Sequence, residues 1–386
     1  MESGVPKVLE SWSLESLGVL ESRESWSLAS LRGFLTPSLS RLQDSKTLQT
    51  PDSRLQTRDS PYDAILIVSF GGPEGMEDVI PFLENVLRGR NVPRERMLMV
   101  AEHYYLFGGV SPINQKNRQL IAALSQELEK KGPRLPVYWG NRNWHPLLPD
   151  TVRQMRDDGV KHALAFVTSA YSSYSSCRQY LDNIATAREA VGPGSPQIEK
   201  LRAFYNHPGF IRANAENVRT ALGRVPVSRR AAAQLVFTAH SIPLSMAQNC
   251  RYQAQLNEAA RLVAEAAAHS HWKLAFQSRS GAPGQPWLEP DILELLKTSH
   301  ESGVSDVVLA PIGFVSDHME VVYDLDVEAK RLSEALGINL QRAETASAHP
   351  AFVQMIRELI VERMNSPGNN DRPGENCAID CCRTGT

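Results

Sequence analysis

The chain has no excess charge of either sign: 41 Lys and Arg against 43 Asp and Glu leave a formal net charge of −2 over 386 residues. Basic runs are missing as well, so the electrostatic footprint of a nucleic-acid binder is absent. No stretch of about 18 consecutive apolar residues occurs, so no membrane-crossing helix is expected. Cysteine is scarce. There are five, and three of them, Cys377, Cys381 and Cys382, crowd into the last ten positions. A secreted disulfide framework would spread paired cysteines through a short chain. This distribution points instead to a reducing, cytoplasmic setting and to a metal site. Neither G-x-x-x-x-G-K-[ST] nor G-x-G-x-x-G is found, so nothing argues for a nucleotide-binding loop.

Hydrophobic residues make up 42% of the chain, ample for a buried core, and the length suggests two domains. Residues 1–60 differ from the rest. ESWSLESL at residues 10–17 returns as ESWSLASL at 24–31, and SRLQ at 40–43 returns at 53–56. Such a low-complexity stretch reads as a disordered extension, or as the product of a misassigned start, and lacks the apolar core of a signal peptide.

From residue 61 strands and helices alternate. AILIVS at 64–69 is an unbroken apolar run, as expected of a strand buried on both faces. Further strands are expected at 136–139, 162–168 and 200–205, with helices at 76–88, 117–130, from 149, 177–191 and 211–222. The rhythm then restarts, with strands at 234–238, 274–277, 304–311 and 338–342 and helices at 256–268, 290–298, 320–336 and 350–364. This predicts an α/β fold of two similar lobes, 61–230 and 231–364, each a parallel sheet flanked by helices, with a cleft between them. Residues 365–386 read as a flexible tail carrying cysteines. Ligands of such sheets bind beyond the carboxyl ends of the strands.

Three segments stand at such positions. FTAHSIP at 237–243 puts His240 at a strand end, where it is either a hydrogen-bonded structural histidine or a metal ligand and base. GFVSDHMEVVYDLDVEA at 313–329 spaces Glu320, Asp324 and Glu328 by four, placing three carboxylates on one helical face. That face is either merely solvated or a path for a hard cation, while Asp317 and Glu320 also have capping-box spacing. Asp326 with Lys330 and Glu328 with Arg331 read as surface ion pairs. QSRSGAPGQPWLEPDI at 277–292 holds Trp287 on a stiff loop, as a lid over the core or a plate for a flat ligand. In the first half SFGGPEG at 69–75, YYLFGGVSPIN at 104–114 and TSAYSSYSSCRQY at 168–180 supply Gly-Gly turns, hydroxyls and Arg178. Ser111 and Arg178 could bind carboxylates, or serve turns and helix caps.

Together, in this order and at these distances, the three segments of the second half resemble the ferrochelatase family. SFGGPEGMEDVIPFLENVLRGR at 69–90 and YYLFGGVSPIN are similar to the family's N-terminal region, and the resemblance covers about residues 62–364. It implies two Rossmann-like lobes binding a porphyrin in a cleft, with ferrous iron as substrate. His240 and Glu320 match the pair facing the porphyrin centre; Asp317, Asp324 and Glu328 match the acidic line behind it; Trp287 matches an aromatic at the pocket lip. Phe70 stands where some coproporphyrin-using relatives carry an iron-ligating tyrosine, so that ligand is implied to be lost here. The GGPEG and RGR segments are similar to actinobacterial relatives, which favours coproporphyrin III over protoporphyrin IX. A non-catalytic haem or metal carrier, and a cobalt or nickel chelatase, are the alternatives. A peripheral membrane or haem-pathway enzyme contact is compatible with the sequence.

The resemblance also bears on the thiols. Some ferrochelatases hold a 2Fe–2S cluster with one internal and three C-terminal cysteines. Cys177, Cys377, Cys381 and Cys382 match that count, because four thiolates hold such a cluster. The C-x-x-x-C-C spacing is unusual, and zinc or unliganded thiols are the other readings. Cys250 is left over as a structural residue.

Overall fold

The computed structural model describes residues 60–89, 92–280, 284–366 and Cys382. The expected extension at 1–60, apart from Ser60, and most of the tail, with Cys377 and Cys381, lie outside the described residues.

Two four-stranded parallel sheets form the frame. β1 (Ala64–Ser69), β2 (Val137–Asn141), β3 (His162–Val167) and β4 (Gln197–Lys200) pair in the order β2-β1-β3-β4. β5 (Gln234–His240), β6 (Trp272–Gln277), β7 (Asp306–Ala310) and β8 (Asn339–Arg342) repeat it as β6-β5-β7-β8. The same winding is therefore used twice, once in each sheet. The helices that connect parallel strands cover both faces, and this is why β1 and β7 are buried at every position and mostly apolar.

Alternate residues of each central strand face different cores. Ala64, Leu66 and Val68 join the helices Leu148–Asp157 and Gln179–Val191 on one side of the first sheet. Val236, Val307 and Leu309 pack with Ile292, Leu296 and Leu325 on the outer side of the second. The inner faces are not separate. Ile65, Ile67 and Phe166 of the first sheet and Leu235, Phe237 and Val308 of the second belong to one apolar cluster. The helices Ile113–Lys131, Pro208–Gly223, Tyr252–Ala266 and Pro350–Asn365 fill it. The last described helix, Pro350–Asn365, packs back on two helices of the first half, Ile113–Lys131 and Pro208–Gly223. The two halves are thus joined through a common core.

Two expectations are corrected. The fourth strand lies at Gln197–Lys200, before the apolar stretch 200–205. It is a polar edge strand, whereas Leu201, Phe204 and Tyr205 leave the sheet to enter the shared core. A helix at Arg94–Tyr105 was not anticipated, because its apolar residues are not segregated on one face: Leu98 and Met99 are exposed, and Met97, Ala101 and Tyr104 are buried. With Val79–Leu87 it forms an arm with its own small core around Phe82.

Candidate active site

His240 is the last residue of β5, at the carboxyl end of its sheet. Its loop is fixed from several sides. The Tyr252 hydroxyl donates to the His240 carbonyl at 3.1 Å. The Ser241 hydroxyl donates to the Leu288 carbonyl at 2.9 Å, and backbone N–H groups of Leu244 and Leu288 donate to Pro286 and Ile242 at 3.0 Å each. These bonds zip the 240–244 loop against the loop bearing Trp287, which pairs with Pro243 in an antiparallel bridge. Gly313, after β7, comes so close that an added Cβ would lie 2.5 Å from that of Ala239. Only glycine lets the turn after β7 abut the end of β5.

That abutment brings the chemistry together. Glu320 starts the helix that follows β7, and its Oε2 lies 3.7 Å from Nε2 of His240. The ring's Nδ1 hydrogen-bonds the Ser241 carbonyl. A carbonyl only accepts, so Nδ1 carries the hydrogen and Nε2 is the atom turned toward Glu320. Burial alone would make the His240 imidazolium harder to form. The charge of Glu320, its hydrogen bond and the charge of Asp324 outweigh burial and raise the pKa. Partial desolvation opposes ionisation of Glu320, whose side chain is still half exposed, but the two imidazoles, His240 above all, bring its pKa down to about 2.

The second imidazole is His318, with Nδ1 4.0 Å from the same carboxylate oxygen. It packs edge-on against Phe314. Burial lowers its pKa, and His240 pushes the same way against the pull of Glu320 and Asp317. The sequence reading passed over His318. Its signal was there, two residues ahead of Glu320 in a segment already singled out.

The acidic line is only partly as expected. The helix after Glu320 is π-helical over Val322–Ala329, wider than an α-helix, a geometry common at functional sites. Asp324 sits behind Glu320 and accepts hydrogen bonds from the Ser278 hydroxyl and from Nε2 of Gln277, the latter at 3.2 Å. Burial first, then the charges of Glu320 and Glu328, push its pKa up to about 7. Glu328 is exposed at the outer end. Asp317 is not part of this line. It is 8% exposed and bound through both oxygens by Arg342, at 3.1 and 3.2 Å. Nor does it cap the helix, whose first turn has His318 at the cap position and no side-chain cap bond. Asp326 pairs with Arg342 at 2.6 Å rather than with Lys330.

The arm from the first half closes over this region. His103 stacks flat on Tyr323, ring centroids 3.6 Å apart. Met319, beside Glu320, enters the arm's core, and Phe70 lies against the same core, edge-on to Phe82. Arg142 places its guanidinium 5.6 Å from the Phe70 ring centre and 4.6 Å from that of Tyr180. Ser111 is buried against Gly72. Arg178 ends a π-helical turn, Tyr174–Arg178, where an α-helix start was expected, and its Nε is 3.0 Å from Asp182. Trp287 is 7% exposed, a buried wall rather than a lip, with its indole N–H unpartnered in the described structure.

Cys177 is half-buried in the same π-helical turn, and Cys382 is buried. Four thiols are the right donors in number and kind for a 2Fe–2S cluster, and two of the four are within the described residues. Among the described residues no three His, Cys, Asp or Glu side chains are grouped to hold a metal ion. No described helix is long and apolar enough to cross a membrane.

Comparison with known proteins bears directly on this arrangement. The profile of the ferrochelatase family matches residues 62–364. The ferrochelatase of Rhodopirellula baltica is 55% identical over 329 residues, covering 83% of this chain and 93% of that protein. The coproporphyrin III ferrochelatase of Streptomyces coelicolor is 50% identical over 322 residues, 79% of this chain and 86% of the other. That of Nocardia farcinica is 49% identical over 329 residues, 82% and 94% of the two chains. Among solved structures, SirB from Bacillus subtilis with Fe3+ superposes with a TM-score of 0.50 at 12% identity, over 79% of this chain and 98% of that one, a likeness of fold. With a profile match across both sheets and relatives at half identity along nearly their whole length, the chain belongs to the ferrochelatase family, the enzymes that insert ferrous iron into a porphyrin in haem biosynthesis.

Proposed function

We propose that this chain inserts ferrous iron into coproporphyrin III, with His240 as the base and Glu320 as the metal-handling carboxylate. The observation that carries the reading is the 3.7 Å approach of Nε2 and Oε2 at the ends of adjacent strands' connections. Insertion forms four iron–nitrogen bonds, releases two pyrrole protons and strips water from the ion. Nε2 of His240 is the atom available to accept a proton, and the neighbouring carboxylates strengthen it as a base. Glu320 stays ionised, as a ligand for a hard divalent ion must. Asp324 and Glu328 would lead the ion inward. Phe70, Ser111, Arg178 and Trp287 would contact the porphyrin, and Phe70 offers no phenolate to the iron.

Coproporphyrin III is favoured over protoporphyrin IX by relatives at 48–50% identity that are coproporphyrin III ferrochelatases. Side-by-side turnover of the two porphyrins tests this; faster turnover of protoporphyrin IX would reverse it. We further propose two functional lobes, 61–230 and 231–364, a cytoplasmic location, and a 2Fe–2S cluster on Cys177, Cys377, Cys381 and Cys382. Serine at Cys381 should bleach the visible absorption of the purified protein, and unchanged colour would remove the cluster. For a peripheral membrane or haem-pathway enzyme contact, the arm offers Met76, Leu98, Met99, Leu106 and Val110, all at least 41% exposed.

A further inference from the structure

Gln277 ends β6 and is 1% exposed. Its backbone belongs to the strand end that carries the imidazole: Gln277 and His240 are register partners, and the Gln277 carbonyl accepts from Ser241 N–H at 2.8 Å. Its side chain belongs to the other partner. Nε2 donates to the main-chain carbonyl of Glu320 at 3.1 Å and to Oδ2 of Asp324 at 3.2 Å. One amide therefore spans from the His240 strand to the turn that presents Glu320.

That turn needs an external anchor. Met319–Val321 is a single α-helical turn without a side-chain cap, passing directly into the π-helix Val322–Ala329. At an α-to-π junction the hydrogen-bond ladder shifts by one residue, and a carbonyl there is best satisfied from outside the helix. Ser278, held at φ +61, adds its hydroxyl to the same Asp324 oxygen. Among the described residues the buried Oε1 of Gln277 has no partner, so what holds the amide there is what its NH2 group donates to.

We propose that Gln277 is a positioning residue for iron insertion, whose amide sets Glu320 at its distance from His240 by bonding the Glu320 carbonyl and the Asp324 carboxylate. The inference rests on the reading of His240 and Glu320 as the metal-handling pair. Gln277→Met keeps the volume and removes both donors; Gln277→Glu keeps the shape and turns donor into acceptor. Porphyrin binding, read by fluorescence without iron, should stay within about twofold of wild type, while kcat/KM for ferrous iron falls at least about tenfold, since small misplacements of reacting groups cost that much. Gln277→Glu should fall further. A merely structural role would lower melting temperature, porphyrin affinity and activity together. Wild-type kcat/KM for iron in a folded Gln277→Met protein, or a loss shared equally by porphyrin binding, overturns the proposal. If Gln277→Met does not fold, Gln277→Asn keeps the amide but draws it back by one methylene, and kcat/KM for iron should still fall severalfold at unchanged porphyrin affinity; an unchanged kcat/KM is equally fatal. An active Glu320→Gln enzyme would instead bring down the underlying reading, whereas inactive Glu320→Gln beside normal Gln277→Met sinks the Gln277 role alone.

Discussion

Both carboxylate oxygens of Asp317 are held by the Arg342 guanidinium, at 3.1 and 3.2 Å, and the same arginine reaches Asp326 at 2.6 Å. Arg342 closes β8, so this triad locks the loop after β7 to the sheet edge. It separates two kinds of carboxylate that the sequence presents alike: Asp317 is a strut held by Arg342, whereas Asp324 is held by Gln277 and Ser278 behind Glu320. Arg342→Met should leave the buried Asp317 and half-buried Asp326 carboxylates uncompensated and cost about 3 kcal/mol, the lower end for breaking a buried pair. Urea unfolding checks it; a loss under about 1 kcal/mol would place the triad with ordinary surface pairs.

His240→Ala and Glu320→Gln should each lower iron insertion by about 100-fold or more, the range for removing a positioned acid–base group. Porphyrin binding should persist. Anaerobic turnover with stopped absorbance changes is the measurement, and near-normal rates in either variant would contradict the assigned roles.

Asp324, with its pKa raised to about 7 chiefly by burial, gains its charge as pH rises through neutrality. More negative charge attracts the cation, so the KM for ferrous iron should fall between about pH 6 and 8. Asp324→Asn should flatten that dependence. For stability the sign is opposite. The folded pKa exceeds the unfolded value of about 3.9, so ionisation penalises the fold as pH rises from there through 7. The stability of Asp324→Asn relative to wild type should therefore improve with pH, and a ratio independent of pH would refute the raised pKa.

Gly313→Ala would force a methyl to 2.5 Å from the Cβ of Ala239. The expected cost is about 1–3 kcal/mol, typical of overpacking. Because Ala239 adjoins His240, activity should drop more than thermal stability accounts for. A crystal structure of the variant with the two turns unmoved would show the contact to be tolerated.

Much of the fold was legible because its cause is local. An unbroken AILIVS or QLVFT between turn residues has no stable place except a strand covered on both faces, and alternation with helical segments makes such strands parallel. Edge strand β4 escaped because a polar QIEK carries no such signature. The Arg94–Tyr105 helix escaped because it buries Met97, Ala101 and Tyr104 in the arm's small core while leaving Leu98 and Met99 exposed, which blurs its period.

The candidate site divides the same way. Sequence alone determined the two parallel sheets, the strand-end position of His240 and the presence of carboxylates after β7, because residue type and spacing fix these locally. Only the tertiary structure decided that His240 meets Glu320 at 3.7 Å, that His318 flanks the same oxygen, and that Asp317 turns away to Arg342. The first and last of these depend on residues 80 and 25 positions apart being packed against one another, and the second on how the short turn Met319–Val321 sets His318 beside Glu320. No periodicity in the chain encodes either.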